Sequence, residues 1–125
     1  MLEKLDSGKA FSLHALIVDG QCFVRDFIDG LPKEDKVQIF ALFKLILDNG
    51  PPKNERKFRS LGEKIFELKT RRGVRILCFF GESNFPNSLI LTHGFRKPKR
   101  NQLRNEKKRA LKLYYEYCRL GQKIH

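Results

Sequence analysis

The stretch Lys64–Arg100, KIFELKTRRGVRILCFFGESNFPNSLILTHGFRKPKR, decides how this chain folds. It holds three short runs dense in Ile, Leu, Val and Phe: IFELK, VRILCFF and SLILTHGF. Runs of this kind, bounded by Gly, Asn and Pro, predict β-strands. The joints TRRG and GESNFPN are short enough for antiparallel hairpins. Cations crowd the ends and joints: Lys69, Arg71, Arg72, Arg75, Arg96, Lys97, Lys99 and Arg100. A small antiparallel sheet with fixed cations along one end suits a ligand with closely spaced negative charges. RNA is the first candidate.

Upstream of this sheet, FSLHALIVD (11–19) has the branched and aromatic residues of a first strand, and residues 1–10 read as a loose N-terminal tail. Phe23, Val24, Phe27 and Ile28 share one face of a short helix. Pro32 then opens a longer helix, PKEDKVQIFALFKLILDNG, with Glu34 and Asp35 in its first turn, where the macrodipole favours anions. Its apolar residues, Val37 and Phe40 included, are expected in the core. Asn49-Gly50-Pro51-Pro52 stops it. KNERKFRSLGE (53–63) reads as a polar, basic connection into the sheet. Downstream, Leu103, Ala110, Tyr114, Tyr117 and Cys118 repeat at helical spacing and predict a closing amphipathic helix that ends near Gly121. The expected fold is α+β: a small antiparallel sheet, an N-terminal helical hairpin and a C-terminal helix, in a single domain over residues 11–121.

The 125 residues can bury a core without disulfide or metal staples. The charge is unevenly placed. Residues 1–50 carry six Lys+Arg against eight Asp+Glu, net −2; residues 51–125 carry twenty against six, net +14. The second part reads as a polyanion-binding half. No run nears the ~20 apolar residues of a membrane span. No signal-peptide core opens the chain, so a cytoplasmic protein with no membrane partner is expected. Cys22, Cys78 and Cys118 form no CxxC and no metal spacing with His14, His93 or His125. Reduced, packed cysteines are expected, with no metal and no cofactor.

No phosphate loop or nucleophile motif is present. Arg75 lies inside the most apolar run, VRILCFF. A guanidinium there is either paired with a carboxylate such as Glu67 on the neighbouring strand or held to meet an anion, and the residues leave both open. His93, near a strand end, is either a hydrogen-bonded structural residue or a base. Lys97, Lys99 and Arg100 precede the last helix, where cations oppose the macrodipole unless an anion is bound. Arg71 and Arg72 sit in a hairpin turn.

LGEKIFELKTRRGVRILCFF followed by LILTHGFRK resembles the RelE/HigB superfamily of bacterial type II toxins, and its phage-related HigB-like branch in particular. VRDFIDGLPKEDKVQIFALFKLILDNGPP is similar to the family's helical hairpin, so the likeness spans roughly residues 14–118 as an order of elements. The resemblance implies a RelE-like fold and a ribosome-dependent, metal-independent mRNA endonuclease. It also implies a cognate antitoxin, a helix-turn-helix protein, that holds the enzyme inactive. By the same resemblance, Arg75 matches the family's central-strand arginine on the scissile phosphate. Arg96 matches the basic residue after the last strand, Lys69 the one closing the first central strand, and His93 a histidine frequent in this branch. Arg71, Arg72, Lys97, Lys99 and Arg100 are expected to contact RNA. The chain departs from the pattern at Val74, where an aromatic is usual, and at Gln102, where some members carry a late aromatic. The proton shuttle is therefore open among His93, Lys69 and a ribosomal or RNA group. Two other readings stand beside the nuclease: a non-enzymatic inhibitor like the ParE branch, which is associated with DNA gyrase, and a basic RNA-binding module.

Overall fold

Strand β5, Val74–Phe80, is the hub of the sheet and is buried except at Phe80. It pairs antiparallel with β4 (Ile65–Lys69) on one side and β6 (Ser88–Arg96) on the other. Both are where the apolar runs predict strands. The computed structural model describes residues 1–83, 85–99 and 101–123, and only the backbone of 121–123.

The sheet is larger than expected, and it is mixed. It has six strands in the order β1-β2-β6-β5-β4-β3. The segment read as a loose tail forms β1, Leu2–Ser7, antiparallel to β2, Ser12–Leu16. The basic connection contains β3, Phe58–Gly62, antiparallel to β4. β2 and β6 run parallel, with Ser12 opposite Ser88 and Ala15 opposite Leu91. A parallel pair needs a long connection, and here the intervening chain supplies it.

The helices also differ from a hairpin beside the sheet. α1, Phe23–Asp29, is about two turns long and lies against β6 and β2. Gly94 of β6 admits it: a Cβ there would lie 2.2 Å from the Phe27 ring. α2, Lys33–Asn49, covers the same face of the sheet. It buries Ile39, Leu42, Phe43, Ile46 and Leu47, but Val37 is 60% exposed and Phe40 51%. A helix laid on a sheet buries one stripe, and these two residues fall outside it. α3, Gln102–Lys123, covers the opposite face and continues past the expected stop at Gly121.

Alternation along β5 feeds both layers. Val74, Ile76 and Cys78 join the core under α1 and α2, whereas Leu77 and Phe79 join the core under α3 with Ile65, Ile90, Phe95, Ala110 and Tyr114. Among the described residues, no helix is long and apolar enough to cross a membrane.

Candidate nucleic-acid interface

The β4–β5 turn builds the site. Thr70 N–H donates to the Val74 carbonyl at 3.0 Å, and Gly73 N–H to the Thr70 carbonyl at 3.2 Å. Gly73 has φ +95°, a conformation glycine adopts without strain, so the three-residue loop closes and leaves Arg71 and Arg72 exposed. Closing the loop also sets Lys69 directly opposite Arg75 across the two strands. Like charges placed so are unfavourable without an anion to share.

A cleft of about 780 Å³ opens at this end of the sheet. Lys69, Thr70, Arg71 and Arg75 border it, with Arg56 and Lys57 from the segment before β3 and a face of α2. Among the described residues, five cations and no carboxylate line it. The Lys57 carbonyl accepts the Lys69 N–H at 2.9 Å, which ties the segment before β3 to the end of β4. Arg56 and Lys57 were not singled out from the sequence. The basic run KNERK was the available signal, but nothing local places it beside Lys69.

Arg75 is buried, and its Nη1 donates to the carbonyls of Thr70 (3.1 Å) and Val74 (3.0 Å). Among the described residues, Nη2 has no acceptor. The alternative pairing with Glu67 exists only at long range: Arg75 Nε lies 4.0 Å from Glu67 Oε2. The close partner of the wholly buried Glu67 is Arg59, whose Nε donates to Oε1 at 2.7 Å. Glu67 Oε2 accepts no hydrogen bond. Burial, and after it the Glu67 and Arg59 charges, act on Arg75; burial prevails and lowers its pKa. Lys69 is half-buried. Burial first, then the cations Arg59, Arg75 and Lys97, hold its ammonium below the usual lysine range, against the opposing pull of Glu67. A lysine in such surroundings gives up a proton more readily than a free one.

The other expected site residues lie elsewhere. Arg96 Nη2 and Arg72 Nε donate to the two oxygens of buried Asp35, in the first turn of α2, at 2.7 and 2.9 Å. The Arg96 hydrogen bond is the largest cause of the lowered Asp35 pKa. Both arginines therefore fasten the end of β6 and the hairpin to α2. His93 is 1% exposed. Its Nδ1 lies 3.1 Å from Thr92 Oγ1 and its Nε2 3.3 Å from Glu106 Oε1 on α3. Burial, aided by the Arg109 charge, lowers its pKa to about 4. Thr92 Oγ1 donates its proton to the Leu77 carbonyl at 3.1 Å, so towards His93 Nδ1 it is the acceptor. Lys97 is exposed beside the hairpin, its N–H donating to the Gly73 carbonyl at 2.7 Å. Lys99 is exposed at the start of α3. Arg100 and His125 lie outside the described residues. Among the described residues, no three His, Cys, Asp or Glu side chains gather as a metal ion requires.

The fold and the cleft together define a small α+β domain with a cationic cleft at one end of its sheet. The chain belongs to the family described as Phage derived protein Gp49-like (DUF891), whose family model matches residues 26–115. The family is associated with toxin–antitoxin-like proteins. A comparison with curated proteins found no match.

Proposed function

We propose that this protein is the toxin of a type II toxin–antitoxin system in the RelE/HigB superfamily, a metal-independent endoribonuclease that cleaves mRNA on the ribosome in the bacterial cytoplasm. The observation that carries this reading is Lys69 opposite Arg75 in a cleft lined, among the described residues, by five cations and no carboxylate. In the proposed reaction, neutral Lys69 takes the proton of a ribose 2′-OH. O2′ attacks the adjacent phosphorus, a P–O2′ bond forms, and the P–O5′ bond breaks to leave a cyclic phosphate. The departing 5′-oxygen takes up a proton, directly from Lys69 or through water, so no proton is gained or lost overall. Arg75 Nη2 donates to the phosphate oxygen on which charge builds. Lys69 suits the proton transfer better than His93, because its pKa is lowered towards the working range and it borders the cleft. His93 holds α3 to the sheet, with both ring nitrogens engaged.

The test is single-turnover cleavage of mRNA on programmed ribosomes. Arg75→Ala should slow it by about 10²–10³, the scale for one lost charge-stabilising donor. The wild-type rate should rise with pH and level off at the lowered pKa of Lys69, whereas Lys69→Arg should abolish that rise while retaining RNA binding. Replacing the scissile 2′-OH by hydrogen should stop the reaction. A folded Arg75→Ala protein that cleaves at the wild-type rate would falsify the assignment. In cells, expression should arrest translation, and co-expression of a cognate helix-turn-helix antitoxin should relieve the arrest. DNA damage with translation intact would favour the gyrase-inhibitor reading, and RNA binding without cleavage the binding module.

A further inference from the structure

We propose that the wall of the cleft facing its cations is a nucleobase pocket that selects guanine; this rests on the nuclease reading above. The wall is one face of α2. Gln38, Ala41, Leu42 and Leu45 fall at i, i+3, i+4 and i+7, and all four border the cleft. Leu42 belongs to the core and Leu45 packs against it, so the apolar surface that this wall shows the cations is exposed Ala41 and the partly exposed edge of Leu45. A nucleotide presents both an anion and an apolar base face, and the cleft volume of about 780 Å³ accommodates one.

Two amides supply the selection. Gln38 Oε1 accepts the Arg72 N–H at 3.3 Å, and Asn54 Oδ1 accepts the Arg56 N–H at 2.9 Å. Asn54 borders the cleft as well. With their oxygens engaged, both side chains are left with an NH₂ group that has no partner among the described residues. The pocket therefore offers donors. Guanine has an edge with two adjacent acceptors, O6 and N7, and no donor. The corresponding edge of adenine carries an amino donor, and cytosine and uracil set a donor beside or between their acceptors. The geometry thus assigns the phosphate to Arg75 and Lys69 and the base to α2, with Gln38 and Asn54 as specificity-determining residues.

Calorimetric titration with the four nucleoside 3′-monophosphates, and with inorganic phosphate as reference, tests this without requiring catalysis. Guanosine 3′-monophosphate should bind about 5- to 150-fold tighter than the other three, the range for a well-placed pair of base contacts. The double variant Gln38→Glu/Asn54→Asp keeps both oxygens for the backbone and turns the donors into acceptors. Its added negative charge weakens all four nucleotides alike, so the ratio is the readout, and it should fall to about 1 or invert. Equal binding of the four, no binding of any, or a guanosine preference unchanged in the double variant overturns the pocket. Guanosine-selective binding by a protein that fails to cleave mRNA keeps the pocket and overturns the nuclease reading. Cleavage without a base preference in binding does the reverse.

Discussion

Glu67 is wholly buried between two guanidinium groups, and its two oxygens are treated unequally. Oε1 holds Arg59 at 2.7 Å, while Oε2 is left without a hydrogen bond, 4.0 Å from Arg75 Nε. An orphaned carboxylate oxygen in the interior is costly, and it calls for a reason. Under the proposed function the neighbouring site supplies one: Oε2 stays 4.0 Å from Arg75 Nε, and Arg75 keeps an outer N–H group that would meet a phosphate. The arrangement makes an asymmetric prediction. Arg75→Ala leaves Glu67 its closer partner and should cost ~1–2 kcal/mol. Glu67→Ala strands two cations and should cost about 3 kcal/mol, the low end for a broken buried pair, because Arg59 is partly exposed. Urea denaturation of the two variants decides it, and equal or reversed losses would show that Arg75, not Arg59, is the structural partner.

At the scale of elements, the junction of β6 with α3 depends on His93. Glu106 reaches its Nε2 from the helix, and Thr92 its Nδ1 from the strand. The folded pKa of about 4 lies below the ordinary 6.5, so the unfolded chain binds this proton first as pH falls. By linkage, the stability contribution is fully present above pH 6.5 and is lost as pH falls from there towards 4. The loss from this group is at most about 3 kcal/mol, the scale of a drop from 6.5 to about 4. Melting temperatures between pH 7 and 4 should therefore fall more steeply for the wild type than for His93→Gln. Parallel curves would mean that His93 does not titrate as its surroundings dictate. The β3–β4 hairpin is held in a similar cross-element way. Glu63 and Lys64 form its turn with φ +55° and +73°, and Lys107 of α3 donates to Glu63 at 3.1 Å.

Across the whole molecule, the +14 of residues 51–125 is not one continuous site. Asp35 engages Arg72 and Arg96, and Glu67 engages Arg59. The cleft keeps Arg56, Lys57, Lys69, Arg71 and Arg75. If these five engage phosphates, the affinity for single-stranded RNA should fall with salt at a log–log slope of about −3 to −4. Arg56→Ala or Lys57→Ala should each reduce the slope by roughly 0.7, while Arg72→Ala should leave it unchanged. Fluorescence anisotropy between 50 and 200 mM salt, a range of about fourfold, reads all three. A slope near that of the full charge, or an equal response to Arg72→Ala, would put RNA on a diffuse surface rather than in the cleft.

By itself the sequence determined β2, β4, β5 and β6, the short helix α1, the stop of α2 at Gly50, the apolar seam of α3 and the basic character of the second half. These are local: apolar runs, turn glycines and helical spacing act within a few residues of each other. Only the tertiary structure decided the rest. β1 and β3 are edge strands whose short, polar sequences carry little strand signal, and they form because β2 and β4 offer them a partner. The turn at Glu63-Lys64 has no Asn-Gly signature, so its hairpin could not be read in advance. The sorting of the cations was hidden for the same reason. Arg72 and Arg96 reach Asp35 from 37 and 61 residues away, and His93 is covered by a helix that begins beyond it. Which charges are neutralised depends on distances of a few ångströms between segments far apart in the chain, and folding alone sets those distances.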